Sequence, residues 1–511
     1  MLQGVAMRRH QSIWAASAPL LQFSPLERNT QADVCVVGAG IAGLTSAYLL
    51  ARSGKRVAVL DDGPVAGGMT QMTTGHLTNQ LDDRYHELEK VHGLEGARLA
   101  ADSHTAAIDR IETIVRQERI ECDFTRLDGY LFLAEGDERA TLEQELEAAH
   151  RAGLRGVQLL ERAPFPSFDT GPCLRFPNQA QFHPLKYLAA LAQAIHHEGS
   201  RIYTGSHADQ IEGGVPALVH VGRHVVTADA VVVATNVPVN DRVAIHTKQA
   251  PYMTYVIGAR IPAHAVPPML SWDTGDPYHY IRTYQDFLIV GGEDHKTGQA
   301  SDSPERYARL ERWARERFPM MGEVELAWGG QVMETQDYLS FTGRNPLDHD
   351  NVFVHTGDSG MGLTHGTIAG MLLSDLILGR TNPWAKLYDP SRVTLRAASE
   401  FARENSNVAL QYTDWLTGGD VSSADEIPAG GGAIVRRGLE KIAVYRDEQG
   451  RLHERHAKCP HLGCVVHWNP AETTWDCPCH GSRFDCYGKV INGPANRDLA
   501  PAERSREQRA A

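Results

Sequence analysis

Between residues 33 and 62 the chain changes its apolar period twice. An apolar strand at 34–37 runs into a glycine turn. Residues 41–51 then repeat apolar positions at helical spacing until Gly54 stops them, and a second apolar strand, 56–60, ends in Asp61-Asp62. Helical periodicity dominates from there to about residue 150, for example over 103–117. Ser303-Pro304-Glu305 is a helix start, a capping residue with proline at the first helical position, and that helix should end before Pro319. Short strand-like runs fall at 230–234, 287–290 and 352–355, and a further helix is predicted over 364–378. Past Gly379 the pattern is linker and helix to about Leu416. Gly418-Gly419 and Gly430-Gly431-Gly432 bracket a polar, acidic stretch, where a domain boundary is expected. Beyond it lie short strands and turns, at 433–435 and 442–446 among others, the pattern of a small β domain.

Composition bounds the function. With 511 residues the chain exceeds one ordinary core and predicts two or three domains. Its 42% hydrophobic and 22% charged residues are ordinary for a globular protein. A net charge of −13 without a basic run argues against nucleic acid and against an anionic membrane surface as partners. No transmembrane segment is expected, since the best apolar run, 371–378, is interrupted by Asp375. Arg8-Arg9 could open a twin-arginine export signal, but no apolar region or small-residue cleavage site follows. A cytoplasmic protein is therefore expected, with Met7 as an alternative initiator. Of eight cysteines, Cys35, Cys122 and Cys173 are scattered and five lie between Cys459 and Cys486. Such clustering in a cytoplasmic chain points to metal.

The strand at 34–37 leads into Gly38-Ala39-Gly40-Ile41-Ala42-Gly43, a GxGxxG turn opening a helix. Gly38 permits the tight turn, Gly40 lets a pyrophosphate approach the backbone, and Gly43 lets helix and strand pack closely. The helix N-terminus offers unpaired N–H groups to the phosphates. Asp61, 23 residues after Gly38, is placed to accept a ribose hydroxyl. No second such turn follows in a strand–turn–helix context, which favours FAD here, reduced by a substrate. Two later segments belong with this turn: a strand at 229–234 ending in small residues, and a strand at 351–356 ending in Gly357-Asp358, followed by Gly360, Gly362, Gly366 and a helix.

Together these segments resemble the D-amino-acid-oxidase-like group of FAD oxidoreductases, over roughly residues 31–380. The resemblance implies FAD-binding segments at about 31–80, 200–245 and 340–380, with substrate-domain insertions between them. It implies that Asp358 bonds the ribityl or pyrophosphate region, that amides near Gly362 face the isoalloxazine, and that residues 67–78, Thr74 included, wrap the flavin. Some relatives attach FAD through a histidine in a comparable stretch; at His76 a non-covalent contact or a plain loop histidine is expected.

The second constellation is Cys459-Pro460-His461 and Cys477-Pro478-Cys479-His480, a CxH and a CxxH box separated by fifteen residues. Each box offers one thiolate and one imidazole. A [2Fe–2S] cluster takes four such ligands, and two neutral imidazoles on one iron raise its potential to roughly −150 to +300 mV. A structural zinc site could use the same set, but CxH is an uncommon zinc spacing. The boxes resemble those of the Rieske proteins of respiratory and photosynthetic cytochrome complexes, across about 425–503. That resemblance implies Cys459, His461, Cys477 and His480 as cluster ligands and a disulfide between Cys464 and Cys479. It makes 493–495 a loop covering the cluster and Ser482 a hydroxyl donor to a bridging sulfide. Where high-potential members often have tyrosine this chain has Phe484, one hydrogen bond fewer and a lower expected potential.

The expected fold is thus an α/β Rossmann-like FAD-binding domain with an α+β substrate domain (31–380), a helical linker (381–424) and a small all-β Rieske domain (425–505). The expected function is transfer of a hydride from a small CH–NH or CH–OH donor, an amine or amino acid, to FAD. Single electrons would then pass through the cluster to an external one-electron acceptor docking near His461 and His480. The alternative is an electron-transfer component in which a reduced carrier or quinol feeds the flavin. For catalytic side chains the sequence offers Arg282, as a fork for a substrate carboxylate, and His183; surface charge or a helix cap is the plainer reading of both.

Overall fold

The strand Thr30–Val37 lies at the centre of a parallel sheet, between Val57–Leu60 and His224–Val233. This arrangement is taken from a computed structural model, which describes residues 8–9, 11–240, 245–394 and 398–502. Arg201–Tyr203 extends the sheet beyond Val57–Leu60, and Val352–Thr356 extends it beyond His224–Val233, both in parallel. The register sets Val37 opposite both Leu60 and Val233. The strands therefore finish at one edge; Gly38, Asp61 and Ala234 follow directly from them, and Asp358 follows after Gly357. That edge is where ligands of open parallel sheets bind.

The insertions build a second sheet of ten strands among the described residues. Within it Gln249–Arg260 runs antiparallel to both Phe287–Lys296 and Val324–Thr335. One part of this sheet corrects the sequence reading. The stretch read as helical to residue 150 holds the helices Tyr85–Gln117 and Arg139–Arg151, but Thr125–Phe132 between them is a strand. It pairs with Cys173–Gln181 on one side and Leu270–Asp273 on the other. Burial of Gly129–Phe132 on both faces removes the alternation that would have marked a strand. A smaller correction concerns the helix Ser303–Arg317. Asp302, not Ser303, holds its N-cap position, and the Ser303 hydroxyl donates to Asn469 Oδ1 at 3.0 Å.

The stretch after Gly379 is packed rather than free. Arg392 forms an ion pair with Asp337 at 2.7 Å, and Tyr412 Oη donates to the Leu462 carbonyl at 2.8 Å. Beyond it stand a three-stranded sheet, Gly432–Arg437 with Glu440–Arg446 and Leu452–His456, and a four-stranded one running from His467–Asn469 to Val490–Asn492. Ile434, Val466, Trp475, Phe484 and Leu499 pack in their core with the cysteines of both boxes. Met7, residues 241–244 of the second FAD segment, 395–397 of the linker and 503–505 lie outside the described residues. No helix among the described residues is long and apolar enough to cross a membrane.

Candidate active site and cluster site

At the carboxyl edge of the parallel sheet lies a cavity of about 1150 Å³. That exceeds the roughly 300–1,000 Å³ of common ligand pockets. Gly38, Gly40, Asp61, Thr74, Asp358 and Gly362 line it. Gly43 is buried one helical turn behind, where a Cβ would strike the Gly38 carbonyl. The turn is thereby drawn tight against its helix, the geometry that brings a pyrophosphate onto the backbone. Asp61 Oδ2 accepts the Ala39 N–H at 2.6 Å and Oδ1 accepts the Gly63 N–H at 2.8 Å. Burial nevertheless pushes its pKa up to about 6. A carboxylate has about four acceptor sites, so two remain for a ligand hydroxyl. Thr74 Oγ1 lies 2.9 Å from His76 Nδ1, and Asp358 Oδ1 lies 3.0 Å from His355 Nε2. These residues fit a dinucleotide cofactor, with room left for a small substrate.

Neither candidate catalytic side chain lies at this cavity. Arg282 is 1% exposed, and its guanidinium donates to the Thr74 and Gly75 carbonyls at 2.9 and 2.7 Å beside the Trp14 ring. It holds the loop that carries Thr74. His183 caps the helix Pro184–His197, its Nδ1 accepting the Lys186 N–H and its Nε2 meeting the Ser17 hydroxyl at 3.0 Å. The far end of the cavity is built instead by Asp82, Trp272, Tyr278, Tyr280, Asp294 and Glu334. They come from separate segments of the chain, so no spacing in the sequence marks them.

In the second domain the two boxes face one another. The His461 and His480 rings sit 5.0 Å apart, and Cys459 and Cys477 are each 1% exposed. Backbone N–H groups of His461 and Leu462 point at the Cys459 sulfur, and those of Cys479 and His480 at the Cys477 sulfur. Loop amides aimed at sulfur stabilise thiolates, and His480 Nδ1 is buried without a hydrogen-bond partner. This donor set fits a [2Fe–2S] cluster, with Cys459 and Cys477 to hold one iron and His461 and His480 the other. Cys464 and Cys479 form a disulfide joining the two loops, and Ser482 Oγ accepts the Ala495 N–H at 3.0 Å, tying in the third loop.

The disulfide closes a 15-residue separation. Loop-closure entropy alone makes such a link worth about 3 kcal/mol, although a bound cluster already joins the same loops. The double variant Cys464→Ser/Cys479→Ser is therefore expected to assemble the cluster and to release it at a lower temperature. Thermal melts followed by the cluster's visible absorption check this.

The flavin domain covers part of the histidine end of the cluster site and leaves His461 half-buried. His480 is only 6% exposed. The buried His246 ring, from the turn His246–Lys248, packs against His461 at 5.0 Å and His480 at 6.0 Å. The two domains also share the cavity: Lys489, Ile491, Asn492 and Arg497 line it beside the glycine turn and Asp62. Gln331 joins both sites. It lines the cavity, its Nε2 donates to the Gly481 carbonyl at 2.8 Å, and its Oε1 accepts from Asn492. A Cβ at Gly481 would strike Pro251 and Gln331, so only glycine lets the His480 loop come this close. The sequence reading singled out neither Gln331 nor His246, because their partners lie about 150 and 200 residues away.

Fold and site together define a flavoprotein with a second, iron–sulfur redox domain. Residues 33–376 match the family of FAD dependent oxidoreductases and residues 419–503 the Rieske [2Fe-2S] domain, so the chain belongs to that oxidoreductase family and carries a Rieske domain after it. It binds FAD and a [2Fe–2S] cluster accordingly. YhfW of Bacillus subtilis (strain 168), which bears the name of a Rieske 2Fe-2S iron-sulfur protein, is 33% identical over 97% of this chain and 98% of its own length. The gamma-glutamylputrescine oxidoreductase of Escherichia coli (strain K12) is 29% identical over 72% of this chain and 89% of that protein. The glycine oxidase structure from Geobacillus kaustophilus superposes with a TM-score of 0.60 at 19% identity, covering 71% of this chain and all of that one, a likeness of fold.

Proposed function

We propose that this protein oxidises a small amine at its CH–NH bond and sends the electrons, one at a time, through its own Rieske cluster to an external acceptor. The observation that carries this reading is the wall shared by the two cofactor sites, with Gln331 on the cavity and bonded to the residue next to His480. FAD, when bound, would supply a two-electron hydride acceptor, and the cluster a one-electron centre. The chain's own residues do the positioning. The glycine turn and Asp61 hold the dinucleotide, Gln331 and Asn492 keep the cluster loops against it, and His246 packs against both histidine rings. An amine donor is supported by the name of the Escherichia coli relative, which contains an amine. The acceptor reaches the cluster from the outer side of the first box, where Leu462 is 38% exposed.

Anaerobic titration of the purified holoprotein with amines, amino acids and NAD(P)H tests the reading. One amine is expected to bleach the flavin, and the EPR signal of the reduced Rieske cluster should grow with the bleach. In Gln331→Leu the bleach should keep its rate while cluster reduction slows, as read by rapid-freeze EPR. Reduction by NAD(P)H or a reduced carrier alone would replace the reading with that of an electron-transfer component.

A further inference from the structure

The cavity's cations and its aromatic-flanked acids lie apart, although Asp61, Asp62, Asp209, Asp485 and Asp498 also line the dinucleotide end. Among the described residues its lysine and arginine side chains are Lys489 and Arg497, both on the Rieske domain at the dinucleotide end. Lys489 attracts Asp62 there, and Asn496, next to Arg497, donates to the Ala208 and Asp209 carbonyls. The other end, on the ten-stranded sheet, is lined by Asp82, Asp294 and Glu334 with Trp272, Tyr278 and Tyr280. Tyr278 Oη donates to Asp82 Oδ2 at 2.7 Å, Tyr280 Oη and Thr254 Oγ1 meet at 2.7 Å, and Asp294 Oδ1 is buried without a hydrogen-bond partner.

The cations near this end are committed elsewhere. Arg84 donates to the Thr274 carbonyl. Arg306 donates to the Asp302 carboxylate and to the Glu293 and Asp294 carbonyls. Arg282 holds the Thr74–Gly75 backbone behind the wall. His76 stays neutral, its pKa pushed down to about 3 by burial and by Arg282. Burial pushes Asp82 up to about 6 and Asp294 up to about 7. Glu334 is raised as well, by burial and then by repulsion from Asp83, Asp82 and Asp294. Carboxyls crowded in this way ionise readily only beside a positive charge. Aromatic faces at the same place also favour a cation. An α-amino acid would bring its carboxylate against these acids and find no guanidinium fork to receive it.

We infer that this end of the cavity selects an organic cation without a carboxylate: an amine donor bearing a second, non-reacting ammonium group, of the diamine or polyamine class. The inference rests on the amine-oxidising reading given above. A reacting amine must be neutral to release its hydride, so the charge that the acids receive belongs to the other nitrogen.

The test uses anaerobic holoprotein with diaminobutane and the length-matched aminobutanoate as probes. Binding is read by calorimetry and reaction by flavin bleaching. Diaminobutane is expected to bind roughly 30-fold more tightly than aminobutanoate, and Asp294→Asn to weaken it by about the same factor. Retained flavin absorption and Rieske EPR show that the variant is folded; Glu334→Gln takes its place if they are lost. Equal binding of the two probes, or unchanged diaminobutane binding in the folded variant, overturns the inference. Bleaching by amino acids with no binding of diaminobutane overturns it too, yet leaves the amine-oxidising reading standing. The expected preference with no bleaching by any amine supports the cation site and ends that reading instead.

Discussion

Cys477→Ala is expected to abolish the Rieske EPR signal completely while leaving the flavin bound. The sulfur sits at a position 1% exposed, against the Cys459 thiol, with the Cys479 and His480 amides aimed at it. Methyl cannot replace a thiolate ligand, and three remaining ligands cannot close the site. A cluster needs all four, and its potential depends on the imidazole pair and the surrounding hydrogen bonds. The FAD domain keeps its own core, and the contacts between domains do not run through the cysteine. Ser303 still reaches Asn469, and Gln331 still reaches the Gly481 carbonyl. The variant should purify yellow, bleach with the same donor as the parent protein, and pass no electrons to an artificial one-electron acceptor. Loss of the flavin together with the cluster would mean instead that the cluster loops are needed to form the shared cavity wall.

The second large effect is the converse. Gly43→Val should remove FAD and spare the cluster. A Cβ at Gly43 meets the Gly38 carbonyl, with the Gly38 carbonyl carbon at 3.0 Å and Val36 Cγ1 at 3.2 Å. These neighbours are the turn and the central strand, so they cannot yield as a flexible side chain would. Valine forces the helix Ile41–Arg52 off Thr30–Val37 and opens the turn that receives the pyrophosphate. Overpacking of this kind costs about 1–3 kcal/mol in a core, and here it falls on the binding backbone itself. Purified Gly43→Val is expected to lack flavin absorption and to retain the Rieske EPR signal, which reports that the second domain is folded. Flavin content equal to that of the parent protein would show that the helix can shift without loss of the turn.

Both predictions concern features legible in the sequence, and the reason is local. Each of the CxH and CxxH boxes holds its Cys and His within four residues, and the glycine turn, its helix and the following acid occupy one continuous unit. Asp358 stands two residues past a strand of the parallel sheet, where it lines the cavity.

Arg282 and His183 mark where local reading ended. Arg282 lies on a strand buried along its whole length, so alternation cannot say which neighbour its side chain meets. The structure turns it toward Trp14 and the Gly75 carbonyl. His183 stands at a helix start, and its ring serves the helix.

By itself the sequence carried the two cofactor classes and the order of the flavin and Rieske segments, because each is encoded by residue types at short spacing. Only the tertiary structure decided that His246 packs against His461 and His480, that Gln331 lines the cavity and bonds the Gly481 carbonyl, and that Asp82, Asp294 and Glu334 line one cavity. Asp82, Asp294 and Glu334 lie on different segments and meet only when the strands of the second sheet pair and close over the edge of the first. Register and domain docking bring them together, and both are set by packing across hundreds of residues.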